Sequence, residues 1–147
     1  MKSSSFTTTI LVDNTPKDVF NAINNVRGWW QGAIEGNTTK LEDEFTYRMG
    51  EVHFSKQKIE ELIPYQKVEW LVTDSQLSFV NTKNEWTGTK IIFEITEINS
   101  KTQVRFIHLG LVPAIECYGG CSSAWGKLIQ ESLFSLITTR KGTNVFG

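Results

Sequence analysis

The stretch IIFEITEINSKTQVRFIH, residues 91–108, alternates on both sides of a polar break. Ile91, Phe93 and Ile95 share one parity, against Ile92, Glu94 and Thr96. After Asn99-Ser100-Lys101, Val104, Phe106 and His108 share a parity against Arg105 and Ile107. A period of two marks a strand with one buried face and one mostly wet face. Two such runs around a short polar break read as an antiparallel hairpin. The same pattern extends upstream. Val68, Trp70 and Val72 alternate with Lys67, Glu69 and Leu71, and Phe45, Tyr47 and Met49 alternate with Thr46 and Arg48. The long run 51–63, stopped by Pro64, is mixed on both faces, as a bulged strand would be. Residues 33–109 therefore read as successive antiparallel strands.

The flanks have a different period. Residues 5–12 form an opening strand, and Asp13-Asn14-Thr15-Pro16 stops it and starts a helix. Thr15 suits the N-cap, Pro16 the first helical position and Asp18 the first turn. Val19, Phe20 and Ile23 make the apolar stripe, and Asn24-Asn25 ends it. Residues 26–31 fit one or two helical turns packed on the body. After Pro113, Trp125, Leu128, Ile129, Leu133, Leu136 and Ile137 follow the i, i+3, i+4, i+7 rule of a helix with one buried face. Gly142 supplies the stop, with Arg140 and Lys141 in the last turn. Gly119-Gly120 leaves two starts open: near Ala114 with the glycines inside the helix, or at Ser122 with Ser122-Ser123 as the cap.

These elements predict an α+β domain. An antiparallel sheet of about six or seven strands curls around a long C-terminal helix, with two short helices after the first strand. A sheet that curls without closing on the helix leaves a hollow between them.

Composition narrows the function classes. The chain has 147 residues, enough for one domain over residues 1–147. A domain of this size needs neither disulfide nor metal for stability. Fifteen basic against sixteen acidic residues give a net charge of −1, which argues against the broad basic field of a nucleic-acid binder and against a polybasic membrane anchor. No run approaches the roughly 18 apolar residues of a membrane span. MKSSSFTTTI lacks the apolar centre of an export leader, so a cytoplasmic location is expected. No phosphate loop, zincin motif or dinucleotide fingerprint is present, so no cofactor is implied. Aromatic residues reach 12%, with nine Phe and five Trp; either the core is unusually aromatic or rings line a cavity. Cys117 and Cys121, four apart, fall on one face of a helix. With only two His beside them, a metal set is short of ligands. The pair reads as two packed thiols, with a redox or metal pair as the alternative.

Three stretches carry a family resemblance: TTTILVDNTPKDVFNAINNVRGWW with its tandem Trp29-Trp30, FTYRMGEVHFSKQKIEELIPYQKVEWLV with Trp70, and HLGLVPAIECYGGCSSAWGKLIQESLFSLITTRKG. Together they resemble the START-like, or SRPBCC, superfamily, whose helix-grip fold is that of the birch-pollen allergen. Within it the chain most resembles bacterial homologues of the activator of heat-shock-protein-90 ATPase. The resemblance implies fold more than function, because such folds serve as carriers, cyclases and co-chaperone domains. Many relatives carry His-Glu-Gly late in the sheet; here the sequence is His108-Leu109-Gly110, without the acid.

The expected ligand-binding residues are those the pattern points inward. They are Trp29 and Trp30, in the segment that the helix-grip resemblance implies closes one end of the hollow; Phe45, Tyr47, Trp70, Phe93, Phe106 and His108 from the sheet; and Trp125 and Ile129 from the last helix. His108 reads either as a polar handle for a ligand or as a hydrogen-bonded interior His. His53, opposite in parity to Phe54, is expected to face solvent. Trp86, in the polar loop 81–88, is expected at a rim or on the surface. The acidic clusters 42–44 and 60–61 read as solvated edges. No catalytic residue and no metal ligand is assigned. The leading expectation is a binding domain for a small apolar or lipid-like molecule. The alternatives are a chaperone-ATPase regulator and a cyclase- or hydratase-type enzyme using His108 with a pocket acid or Tyr47. A monomer or a homodimer is expected.

Overall fold

The computed structural model describes residues 5–78, 80–81 and 83–144; the first four residues of the MKSSSFTTTI stretch lie outside them. The chain runs through β1 (Phe6–Val12), α1 (Pro16–Asn24), α2 (Val26–Trp29), β2 (Ala33–Gly36), β3 (Glu44–Met49), β4 (His53–Ile63), β5 (Lys67–Leu77), β6 (Lys90–Ile98) and β7 (Lys101–Leu109). It ends in a helix over residues 118–139, made of α3 (Tyr118–Lys127), a π-helical stretch Leu128–Leu133 and α4 (Phe134–Thr139). No helix among the described residues is long and apolar enough to cross a membrane.

Seven strands among the described residues form one antiparallel sheet in the order β1–β7–β6–β5–β4–β3–β2. Strands β2 to β7 form a meander, and β1 closes on the free edge of β7. With two short helices after β1 and the long C-terminal helix against the buried face, this is a helix-grip α+β fold. The β6–β7 hairpin closes on Asn99 and Ser100, both with positive φ (49° and 70°). Such a two-residue turn twists in the same sense as the strands it joins.

Register explains the core. His108 pairs with Ile91, Ile91 with Trp70 and Trp70 with Ile59, and all four are buried. The next row, Phe106–Phe93–Val68, is buried too. A fully buried large apolar side chain contributes roughly 1.5–3 kcal/mol. The outer face carries cross-strand ion pairs, Arg105 to Glu94 at 3.7 Å and Lys67 to Glu61 at 2.8 Å. Exposed pairs of this kind contribute little each.

Two register shifts account for the mixed strand pattern. One lies between Lys56 and Gln57 and the other between Ile59 and Glu61. On β5 the buried set passes from Val68, Trp70 and Val72 to Ser75 and Leu77, a change of parity across Thr73. On β4 the buried set is Ser55, Gln57 and Ile59, so His53 shares the inward parity. The solvent-facing position expected for His53 is corrected accordingly. Phe54 takes the outer side, under the Arg48 guanidinium at 4.7 Å.

Helix α1 starts as its sequence requires: Thr15 Oγ1 accepts from the Asp18 N–H at 3.1 Å, with Pro16 next. The C-terminal helix departs from expectation at both ends. It begins at Tyr118, takes Gly119-Gly120 inside its first turn and has Cys117 at the N-cap, so Ser122 and Ser123 are not the cap. It ends on Arg140, which adopts the left-handed conformation at φ 68°, not on Gly142. Gly142 instead runs against α2, where an added Cβ would strike the Gly28 carbonyl. Between these ends, the buried positions Cys121, Trp125, Ile129, Leu133 and Ile137 recur every four residues. In a pure α-helix of about 3.6 residues per turn that stripe would drift around the axis. The wider π stretch takes up part of the drift and keeps the stripe on the sheet.

Candidate functional site

Five aromatic side chains from five parts of the chain meet in a closed circuit. Trp30 stacks on Tyr47 at 4.1 Å between ring centroids. Tyr47 meets His53 edge-on at 5.0 Å, and His53 meets Trp86 edge-on at 4.6 Å. Trp86 stacks with Trp125 at 5.9 Å, and Trp125 returns to Trp30 at 5.0 Å. All five rings line a cavity of about 270 Å³. Met49 and Val52 add the β3–β4 end, and Gly120, Cys121, Ala124 and Leu128 add one face of the C-terminal helix. Val52 is 50% exposed and sits at the rim. The volume is just below the ~300–1,000 Å³ range of small-molecule pockets.

Local sequence places each ring. Trp30 follows the single turn of α2 in extended conformation, while its N–H still donates to the Val26 carbonyl at 2.9 Å. That change of conformation separates the tandem pair. The Trp29 indole donates to the Ile23 carbonyl at 3.1 Å, inside the core, and Trp30 turns to the cavity. The Tyr47 hydroxyl donates to the Gln31 carbonyl at 2.6 Å. Gly32, at φ 145°, lets the backbone pass against the Tyr47 ring, where any Cβ would collide.

Trp86 is buried at 3% exposure, which corrects the rim or surface position expected for it. The residues around it are polar because they tie the loop down. Thr89 Oγ1 donates to the Trp86 carbonyl at 2.6 Å, Thr87 and Ser75 hydroxyls meet at 2.9 Å, and the Glu85 carboxylate accepts from the Glu116 and Cys117 N–H groups at 2.8 and 3.2 Å.

His108 lies behind the wall with 0% exposure. Its Nδ1 accepts from the Trp125 indole N–H at 3.0 Å. Its Nε2 lies 2.8 Å from Thr89 Oγ1, and because that hydroxyl donates to the Trp86 carbonyl, Nε2–H is the donor. Both ring nitrogens are thus engaged inside the protein, and His108 does not line the cavity. Burial, with a smaller contribution from His53, pulls its pKa down to about 3. Burial also pulls His53 down to about 4 and pushes Tyr47 up to about 12. Both titratable rings in the wall are therefore neutral near pH 7.

Of the ten residues expected to contact a ligand, Trp30, Tyr47 and Trp125 line the cavity. Trp29, Phe45, Trp70, Phe93, Phe106 and Ile129 are buried in the packed core behind it, as is His108. Trp70, for example, is filled in by Phe45 at 5.0 Å and Phe93 at 5.1 Å. Sequence reasoning missed several lining residues. Met49 shares the parity of Tyr47, and Cys121, Ala124 and Leu128 share the face of Trp125, so carrying the same periodicities one step further reaches them. His53 and Trp86 required knowledge of the bulges and of the loop's path.

No protein-family model and no curated protein matches the chain. Solved structures do. The solution structure of the Aha1 dimer from Colwellia psychrerythraea superposes with a TM-score of 0.74 at 22% identity, covering 94% of this chain and 98% of that one. An HSP90 activator from Plasmodium falciparum superposes at 0.63 and 17% identity, covering 92% and 95%. DynU16, a protein of the dynemicin biosynthetic locus, superposes at 0.69 and 12% identity over 96% of this chain and 49% of its own. At these identities the likeness establishes the fold alone.

Proposed function

We propose that the protein binds a small, neutral, largely apolar molecule in the cavity walled by Trp30, Tyr47, His53, Trp86 and Trp125. The observation that carries this reading is the wall itself: large rings around an open space, with both titratable rings uncharged near pH 7. A charged group would lose its hydration there without a counter-ion, whereas apolar surface gains about 25 cal/mol per Å² removed from water. The Tyr47 hydroxyl, already donating to Gln31, retains acceptor capacity for one polar group of the ligand. Titration with a neutral, environment-sensitive dye, competed with fatty alcohols and planar aromatic compounds, tests the reading. Saturable binding is expected, and Ala124→Trp, which fills the space, should weaken it at least tenfold while leaving the melting curve cooperative. Equal uptake by the filled variant, or no saturable uptake at all, refutes it.

The likeness in fold to an HSP90 activator from Plasmodium falciparum, and to a Colwellia Aha1 along nearly the whole chain, favours a second reading, regulation of a chaperone ATPase. Its test is stimulation of the cognate chaperone's ATPase rate by this chain alone. A monomer or a homodimer fits either reading. An enzyme of cyclase or hydratase type would need a proton-transferring group at the cavity; His108 does not line it, and the Tyr47 and His53 rings that do are held by burial at pKa values of about 12 and about 4.

A further inference from the structure

The two cysteines, Cys117 and Cys121, are both free and both buried. They stand one helical turn apart, the Cys121 N–H donating to the Cys117 carbonyl at 2.7 Å. A turn of this kind holds the Cα atoms roughly 6 Å apart, inside the range a disulfide spans. The Trp86 indole N–H donates to the Cys117 sulfur at 3.3 Å, at the N-terminus of a helix whose dipole favours negative charge. The neighbouring Cys121 side chain and then this N–H hold the Cys117 thiol below its ordinary range, against burial and the Glu85 carboxylate, while Cys117 and burial push Cys121 up.

The segment between them is Tyr118-Gly119-Gly120. A Cβ on either glycine would meet nothing within 4 Å, so packing does not require glycine there. Each lowers helix stability by about 1 kcal/mol relative to alanine. The turn that joins the thiols is thus the part of the helix most easily rewound. Cys121 lines the cavity and Cys117, 2% exposed, does not, so a small oxidant reaches Cys117 only by passing the Cys121 side chain.

We propose that Cys117 and Cys121 form a peroxide-reactive dithiol whose oxidation to an intramolecular disulfide rewinds the first turn of the C-terminal helix. The Cys117 thiolate attacks one oxygen of hydrogen peroxide. The O–O bond breaks, hydroxide leaves and is protonated to water, and Cys117 becomes a sulfenic acid. The Cys121 sulfur then attacks the Cys117 sulfur; the S–S bond forms, the S–O bond breaks, and the hydroxyl leaves as water with the Cys121 proton. Two thiols and one peroxide give one disulfide and two waters. The chemistry requires no ligand in the cavity, and a molecule seated there would slow it by closing the oxidant's route.

The test treats the reduced, folded chain with hydrogen peroxide and follows free thiols and intact mass, with the urea-unfolded chain as control. The folded chain should lose both thiols and two hydrogens without intermolecular cross-links, and dithiothreitol should reverse this. Cys121→Ser should stop at a sulfenic acid on Cys117, captured by dimedone. Cys117→Ser should consume peroxide at least tenfold more slowly than the parent, with near-ultraviolet circular dichroism confirming that both variants fold. Retention of both thiols under conditions that oxidise the unfolded chain, disulfides only between chains, or a Cys117→Ser variant as fast as the parent overturns the proposal.

Discussion

Trp86 lies between two histidines, its ring 4.6 Å from that of His53 and 4.8 Å from that of His108. Burial makes both reluctant to charge, with pKa values near 4 and 3 against about 6.5 in an unfolded chain. Between those values the unfolded state binds more protons than the folded one, so stability rises with pH across that window. The histidine contribution is complete above about pH 6.5 and is lost as pH falls toward 3, by roughly 1.4 kcal/mol per unit for each histidine. The urea midpoint should be level above pH 7 and fall steadily below 6.5, and His53→Gln should retain only the His108 share of that fall. A midpoint that stays level down to pH 5 contradicts the assignment. The inward turn of His108 was legible from its parity with Phe106. That of His53 was not, because Phe54 is the more apolar neighbour and simple alternation favours burying it.

At the scale of elements, the C-terminal helix shows which signals are local. Its stripe from Trp125 to Ile137 is written in the spacing of apolar residues. Its start is not, because the groups that secure it are remote: the Glu85 carboxylate reaches the Cys117 N–H from 32 positions upstream. The helix also carries Gly126, where an added Cβ would meet nothing within 4 Å. Gly126→Ala should therefore raise stability by about 0.5–1 kcal/mol in thermal or urea denaturation; a neutral or negative change would mean the site is more crowded than described. Gly142 is the opposite case. It lies outside the helix, Ser132 Oγ donates to the Trp29 carbonyl at 2.8 Å beside it, and a methyl group would push against Gly28. Gly142→Ala should lower stability by about 1–3 kcal/mol, measured in the same way, and an unchanged midpoint would mean the tail can lift off α2.

For the whole molecule, strand alternation, the turn at Asn99-Ser100 and the helical stripe were sufficient to give the architecture, because each is a short-range pattern with one dominant period. The hollow was located less well. Whether an inward side chain meets open space or another side chain depends on summed volumes across several elements, and Phe45, Phe93 and Phe106 fill what alternation alone leaves open. The concentration of rings has a consequence for measurement. All five tryptophans of the chain belong to one contacting group, since Trp29 and Trp70 stack on each other at 6.4 Å and both touch Trp30. Excitation absorbed by any indole at such separations passes readily among the others. The intrinsic emission of this protein is therefore the signal of a single place, and light absorbed anywhere in the group reports on the space beside Trp30, Trp86 and Trp125.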